Sequence, residues 1–140
     1  MKQIPVIFWT GTGNTQMMAD VIAAAINAAG AEAVVKNVSE ITADEAAGYD
    51  ALALGCPAMG AEVLEECEFE PFFTELEGKL SGKKVALFGS YGWGGSYMQD
   101  WEARVKDAGA ELVADGVLAL GAPDDEAEAK LAEAGKLLAE

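Results

Sequence analysis

The sequence predicts an α/β fold in which a parallel β-sheet is covered by helices on both faces. Short runs rich in Val, Ile and Leu alternate strictly with helical patterns along the 140 residues. These runs are apolar throughout, which is typical of strands buried on both faces. Parallel strands need crossover connections, and the crossovers place helices on each side of the sheet. We therefore expect a three-layer αβα sandwich.

Five apolar runs are predicted to be strands, at 4–9, 33–38, 51–55, 85–89 and, as a broken run, 112–120. Pro5 has no N–H for the ladder, so we expect it at the start of the first strand. Helices are predicted at 15–29, after Thr42, and at 70–80, 98–108 and 124–139. Gly30 ends the first helix, and Thr42 with Glu45 three residues later forms a capping box for the second.

Composition limits the function. The chain has 24 acidic and 9 basic residues, no histidine and a net charge of -15, which argues against nucleic acid or an anionic membrane as a partner and favours a basic one. The two cysteines, Cys56 and Cys67, form no CxxC pair, so a disulfide framework, a zinc site and an iron-sulfur site are not supported. We expect one domain over residues 1–140, in the cytoplasm, without a signal peptide or membrane span.

Three loops should contain the binding site, because ligands of such sheets collect beyond the carboxyl ends of the strands. The first is TGTGNT, residues 10–15. Its glycines and hydroxyls, followed by a helix, supply donors for a phosphate. The Walker pattern and the GxGxxG spacing are both absent, which argues against nucleoside triphosphates and dinucleotides. The alternative is a polar turn that caps the helix.

The second and third loops offer surfaces for a flat ligand. In the second loop, residues 56–67, the thioether of Met59 can cover an aromatic ring and Gly60 can turn its peptide; the alternatives are a core methionine and a turn glycine. The third loop, residues 90–97, is rich in aromatic residues and glycine. We select Trp93 as its stacking residue, and we expect Tyr97 and Trp101, at helical spacing, in the core or at its rim.

The motifs TGTGNT, CPAMGAE and GSYGWG occur in an order and spacing that resemble the flavodoxins, in particular the short-chain type of anaerobic bacteria. The similarity extends over essentially the whole chain. It implies a flavodoxin-like sandwich with a five-stranded parallel sheet of order 2-1-3-4-5. It also implies a single non-covalently bound FMN.

The resemblance further implies which residues contact FMN. The phosphate would be held by Thr10, Gly11, Thr12, Gly13, Asn14 and Thr15. Trp93 would stack on the outer ring face and Met59 on the inner face, and Glu62 would accept from the ring N3–H. The carbonyl of Gly60 would accept the hydrogen at N5 after reduction. The remaining expected contacts are Ala58, Ala61, Ser90, Tyr91, Gly92 and Gly94.

By the same resemblance, the function is one-electron transfer rather than enzymatic catalysis. The protein would be a low-potential monomeric carrier that cycles between semiquinone and hydroquinone and substitutes for ferredoxin. Its partners would be ferredoxin- or flavodoxin-dependent oxidoreductases with basic docking surfaces. The alternatives are an FMN enzyme such as a quinone reductase and a phospho-acceptor signalling domain, which would need acids after the first strand.

An acidic run follows the second loop and has no base before Lys79. Its members are Glu62, Glu65, Glu66, Glu68, Glu70, Glu75 and Glu77. Such charges disfavour a reduced, anionic flavin and steer a basic partner. The alternative is a solvated surface that keeps the protein soluble, which is compatible with both roles.

Overall fold

A parallel sheet with helices packed against both faces forms the centre of the fold, as predicted. The computed structural model describes residues 2–9, 13–57, 68–91, 96–120 and 122–140. The strands are β1 Gln3–Phe8, β2 Glu32–Asn37, β3 Ala51–Gly55, β4 Lys84–Tyr91, β5 Glu111–Leu112 and β6 Val117–Leu120. All the strand pairs of the described residues are parallel.

The strands lie in the order β2-β1-β3-β4-β5, which confirms the expected order 2-1-3-4-5. The fifth position is shared by two short segments, because β6 also pairs with β4. β5 pairs with the first two residues of β4, and β6 pairs with 88–91 at its other end. The broken run at 112–120 is therefore a single edge position filled by two segments.

The helices are α1 Asn14–Ala28, α2 Ala43–Ala46, α3 Phe69–Glu77, α4 Ser96–Asp107 and α5 Asp125–Ala139. The predicted capping box is present, since Thr42 Oγ1 accepts from the N–H of Glu45 and the Glu45 carboxylate accepts from the N–H of Thr42. A 3-10 helix at Val38–Glu40 was not predicted. It has a capping box of the same kind, formed by Asn37 and Glu40, so the signal was present in the sequence.

Pro5 is the third residue of β1, two positions later than predicted. Alternate residues of a parallel strand bond to opposite neighbours. The Lys2 carbonyl accepts from the N–H of Glu32 in β2, and the N–H of Trp9 donates to the Gly55 carbonyl in β3. Pro5 is an even number of positions from Trp9, so its backbone nitrogen also faces β3. β1 pairs with β3 only over Val6 to Phe8. The missing N–H of Pro5 therefore lies before this pairing begins.

Successive side chains of the strands are buried on opposite faces of the sheet. Ala51, Ala53 and Ala86 lie on the face covered by α1 and α5. Leu52 and Leu54 lie on the opposite face with side chains of α3 and α4. This alternation is the period of two that a strand requires. Each face therefore has its own buried core, which is the three-layer arrangement that the apolar runs predicted.

An ion-pair network connects α3 to α4. Arg104 of α4 bonds to both carboxylate oxygens of Glu70, at 2.7 and 2.9 Å, and to those of Glu77, at 3.1 and 3.0 Å. Its guanidinium also lies 4.7 Å from the ring centre of Phe73. The hydrogen bonds from Arg104 hold the pKa of Glu70 below its ordinary value. The single positive charge of Arg104 is therefore shared by two acids of the run described above and offsets only one of them.

Within the part of the chain that the structure describes, no helix has both the length and the apolar character needed to cross a membrane.

Replacing Arg104 with Met should lower the free energy of unfolding by about 1 kcal/mol at pH 7, a modest value because the pairs are partly exposed. The folded-state pKa of Glu70 is depressed, so its stabilisation is present above the unfolded value of 4.5 and is lost as the pH falls through the folded value. The difference between Arg104→Met and wild type should therefore shrink below pH 4.5. Urea unfolding between pH 7 and pH 3 measures it.

Lys130→Met is the matched control, because Lys130 forms an exposed pair with Glu126 on α5. Its effect on stability should be small at every pH. A difference for Arg104→Met that stays constant down to pH 3 would contradict the assignment.

Candidate functional site

The start of α1 has the features of an anion site. Gly13 precedes the helix with φ 92° and ψ -9°, a left-handed conformation that favours glycine. Among the described residues, chain neighbours aside, no atom lies within 4 Å of a Cβ placed at Gly13. The first turn of α1 has no acidic residue, whereas the first turn of α5 has three. The positive end of the α1 dipole therefore faces the first predicted loop without a neutralising side chain.

A buried hydrogen bond joins this helix end to the third predicted loop. Thr15 of α1 is 1% exposed and Ser90 of β4 is 6% exposed. Their hydroxyl oxygens are 3.3 Å apart, and either can donate. Both hydroxyls are therefore buried where α1 meets β4. The loops predicted to hold the phosphate and the ring are thus connected where they leave the sheet.

The third loop leaves β4 at Tyr91 and meets α4 at Ser96. Tyr91 is partly exposed at the carboxyl edge of the sheet. Tyr97 and Trp101 are 2% and 1% exposed and belong to the core on the α3 and α4 face. The prediction that these two aromatic residues lie in the core is confirmed.

The second loop starts from a position that is fixed on two sides. Cys56, directly after β3, donates its N–H to the Phe88 carbonyl at 3.1 Å. Its own carbonyl accepts from the Tyr97 hydroxyl at 2.7 Å. Burial raises the pKa of Tyr97, with a smaller contribution from Cys56. Cys56 is fully buried, and Cys67 lies outside the described residues.

Trp9 and Glu68 connect the first loop to the second. Trp9 follows β1 and comes directly before the first loop. Its indole Nε1–H donates to Glu68 Oε1 at 3.1 Å. Glu68 is the first described residue after the second loop and comes directly before α3. The structure thus describes one hydrogen bond for each pair of predicted loops, between residues at or next to the loop ends.

Several predicted contacts lie outside the described residues. They are Thr10, Gly11, Thr12, Ala58, Met59, Gly60, Ala61, Glu62, Gly92, Trp93 and Gly94. The described members of the predicted site are Gly13, Asn14, Thr15, Ser90 and Tyr91. These five lie at the carboxyl edge of β1 and β4, where the sheet topology places a ligand.

Sequence reasoning missed the contacts that support the loops. The Tyr97 to Cys56 bond spans 41 residues and the Trp9 to Glu68 bond spans 59, so no local pattern reveals them. One signal was present, because a glycine inside a strand often marks the close approach of another group. Gly89 of β4 is such a residue, since a Cβ there would overlap both the Cys56 carbonyl and the Tyr97 hydroxyl.

Comparison with known proteins places this arrangement in a family. The profile of the family described as Flavodoxin matches residues 6–135. The chain is 50% identical over 135 residues to a flavodoxin of Clostridium beijerinckii, which covers 96% of this chain and 97% of that protein. It is 47% identical over 116 residues to the flavodoxin of Megasphaera elsdenii, with 82% and 85% covered.

A solved structure agrees with these relatives. The solution structure of two-electron reduced Megasphaera elsdenii flavodoxin matches with a TM-score of 0.89 and 44% identity. The match covers 97% of this chain and 98% of that one. The sequence resemblance to short-chain flavodoxins is confirmed, and so is the predicted fold.

The hydrogen bond between Thr15 and Ser90 can be measured with a double-mutant cycle on the protein without flavin. Thr15→Val and Ser90→Ala each remove one hydroxyl, so each should destabilise the fold. We expect a coupling free energy of about 0.5 to 1.5 kcal/mol, the usual net contribution of a hydrogen bond. Urea unfolding of the two single variants and the double variant measures it.

Ser39→Ala serves as the control partner, because the exposed Ser39 bonds to Asn37 in the 3-10 helix and not to Thr15. Thr15→Val and Ser39→Ala should be additive. Additivity of Thr15→Val with Ser90→Ala would mean that the described contact does not stabilise the protein.

Proposed function

Because this chain belongs to the flavodoxin family, whose members are FMN-containing electron carriers rather than enzymes, we propose that it is a low-potential one-electron carrier that substitutes for ferredoxin. One observation carries the proposal. The start of α1, which follows the left-handed Gly13 and has the features of an anion site, is joined to the start of the third predicted loop by the hydrogen bond between Thr15 and Ser90. We further propose that residues 1–140 act as one FMN-binding domain.

The phosphate of FMN is assigned to residues 10–15. The described end of this loop fits that group, because Gly13 has a left-handed backbone and no atom of a non-adjacent described residue lies within 4 Å of its Cβ position. The N–H groups in the first turn of a helix have no carbonyl partner within that helix. An uncharged loop of this kind holds a phosphate with backbone donors and hydroxyls, and leaves its charge uncompensated.

The isoalloxazine ring is assigned to the second and third loops. Met59 and Trp93 would cover its two faces, and Glu62 and the Gly60 carbonyl would receive its N–H groups. The other assigned contacts are Ala58, Ala61, Ser90, Tyr91, Gly92 and Gly94. Support comes from the described bases of these loops, which the Tyr97 to Cys56 bond holds together at one edge of the sheet. Bound FMN supplies the one-electron chemistry.

The charge of the protein supports a low potential and a basic partner. The net charge is -15, and a unit charge ~12 Å away in water contributes only ~0.35 kcal/mol before screening, so several acids must act together. Glu70 and Glu77 share the single positive charge of Arg104, so together they act as one acid and not as two. Exposed Glu68 lies beside the predicted site through its contact with Trp9. We propose ferredoxin- or flavodoxin-dependent oxidoreductases with basic surfaces as partners.

We also propose that the carrier is a cytoplasmic monomer. Among the described residues, the exposed large hydrophobic side chains are Met17 and Val35. These isolated side chains leave little apolar surface for a stable dimer in that part of the chain. The low cysteine content, two residues in 140 with no CxxC pair, is compatible with a reducing compartment.

An anaerobic reductive titration tests the proposed function. The FMN-loaded protein should accept electrons in two separate steps, so the one-electron-reduced flavin should accumulate and be visible by electron paramagnetic resonance. The second step should have the lower potential, because the reduced flavin gains negative charge among acidic residues. Reduction in a single two-electron step together with rapid NAD(P)H oxidation would instead favour an FMN enzyme.

The phosphate assignment can be tested with two glycines that have similar backbones. Gly13→Ala and Gly30→Ala each place a side chain at a positive φ, 92° and 95° respectively, and at both positions no atom of a non-adjacent described residue lies within 4 Å of the new Cβ. Each should destabilise the fold by about 1 to 2 kcal/mol. Only Gly13 lies at the proposed phosphate site, since Gly30 follows the other end of α1.

Gly13→Ala should therefore raise the Kd for FMN by about tenfold and change the Kd for riboflavin, which lacks the phosphate, much less. Gly30→Ala should leave both constants close to wild type. Flavin fluorescence titration measures both constants. Equal weakening of FMN and riboflavin by Gly13→Ala would contradict the assignment.

A further inference from the structure

One buried hydrogen bond lies between the two loops that we assign to the flavin ring. Tyr97 is the second residue of α4, and Cys56 directly follows β3. The Tyr97 hydroxyl donates to the Cys56 carbonyl at 2.7 Å. The segment 58–67 begins two residues after Cys56, and the segment 92–95 ends two residues before Tyr97. The bond therefore joins the start of one loop to the end of the other.

Gly89 provides the space for this bond. Val85 and Leu87 of β4 place their side chains in the core on the α3 and α4 face, and Gly89 is the next residue on that face. A Cβ on Gly89 would overlap both the Cys56 carbonyl and the Tyr97 hydroxyl. Gly89 therefore has no side chain on this face of β4, and the Tyr97 hydroxyl occupies the space that a side chain of residue 89 would fill.

The hydroxyl of Tyr97 has a role that its ring alone cannot fill. Phenylalanine would occupy the same core position, but it has no donor for the Cys56 carbonyl. Burial raises the pKa of Tyr97, so the hydroxyl stays protonated near neutral pH. The Cys56 N–H is bonded to Phe88 of β4. Cys56 is thus held by the sheet through its nitrogen and by α4 through its oxygen.

The phosphate end of the proposed site lies on the other face of the sheet. Ser90 contacts Thr15 of α1, whereas the adjacent Gly89 is contacted by Tyr97 of α4. Successive residues of a strand point to opposite faces. A change at Tyr97 therefore acts on the face that carries α3 and α4, away from α1 and its first turn.

We propose that Tyr97 is a positioning residue for FMN, whose hydrogen bond to the Cys56 carbonyl fixes the distance between the start of the second loop at Cys56 and the end of the third loop at Tyr97. The proposal rests on the proposed function, because it assumes that these two loops hold the ring. Tyr97 acts through Cys56 and not by contact with the flavin. Loss of the hydroxyl should therefore weaken binding of the ring and leave binding of the phosphate intact.

The variant Tyr97→Phe tests this proposal. The Kd values for FMN and for riboflavin should both rise by about the same factor, on the order of tenfold, since a buried bond at the ring loops is lost. The ratio of the two constants should stay at its wild-type value. The visible circular dichroism of bound FMN should also change, because this signal reports the surroundings of the ring.

Tyr49→Phe is the matched control. It removes the same atom from a tyrosine just before β3, at the opposite edge of the sheet. Both flavin constants and the circular dichroism should match wild type. Gly89→Ala is a second test, because it keeps the Tyr97 hydroxyl but places a methyl group in the space of the bond. Gly89→Ala should raise the Kd values for FMN and for riboflavin by a similar factor. It tests the proposal even if Tyr97→Phe does not fold.

Three results would overturn the proposal. In the first, Tyr97→Phe lowers the urea midpoint but has wild-type Kd values and circular dichroism, so that the bond only stabilises the fold. In the second, the variant weakens FMN but not riboflavin, which locates the effect at the phosphate. In the third, Gly89→Ala folds and binds both flavins as wild type does. A wild-type protein that binds no FMN would instead reject the proposed function itself.

Discussion

The burial of the parallel sheet on both faces is the constraint on which the rest of the molecule depends. Each crossover between parallel strands must pass over a face, so helices cover both sides and the carboxyl ends of the strands share one edge. The small residues Ala51, Ala53 and Ala86 lie under α1 and α5, and the larger Leu52 and Leu54 lie on the α3 and α4 face. Gly135 of α5 allows a similarly close approach, since a Cβ there would be 2.9 Å from the Ile22 carbonyl of α1. The edge where the loops converge follows from this packing.

The contacts at that edge are divided between the two faces. Thr15 and Ser90 form a hydrogen bond on the α1 side, and Tyr97 bonds to Cys56 on the α4 side. Further from the edge, Arg104 holds α3 against α4 through Glu70 and Glu77, and Trp101 packs edge-on against Phe69 and Phe73. The helices that follow the second and third loops are therefore fixed to each other. These contacts give the loops fixed ends, whatever ligand the loops hold.

Local patterns in the sequence predicted most of the fold. β3 was predicted with its observed bounds, and the Thr42 capping box was predicted from residues three positions apart, because these features depend on neighbours in the chain. The loops proposed for the site were also selected locally, from glycine, hydroxyl and aromatic residues beside strand ends. The long-range contacts that hold the surrounding elements together could not be predicted in this way. Thr15 and Ser90 are 75 residues apart, and Arg104 and Glu70 are 34 apart, so only the assembled sheet brings them together.

The divided edge strand has a consequence for how the chain can change in length. β5 and β6 pair with β4 on one side only, and among the described pairings neither has a second neighbour. After β5, the N–H of Val113 donates to the Val85 carbonyl, and before β6 the N–H of Gly116 donates to the Glu102 carboxylate. Ala114 and Asp115 lie between these two bonded residues and belong to no strand. Extra residues inserted at this gap would extend away from the sheet without breaking a ladder bond, and loop closure costs only slowly more as a loop lengthens. The fold therefore contains a position where a longer segment can be added while the edge proposed to bind the ligand is kept.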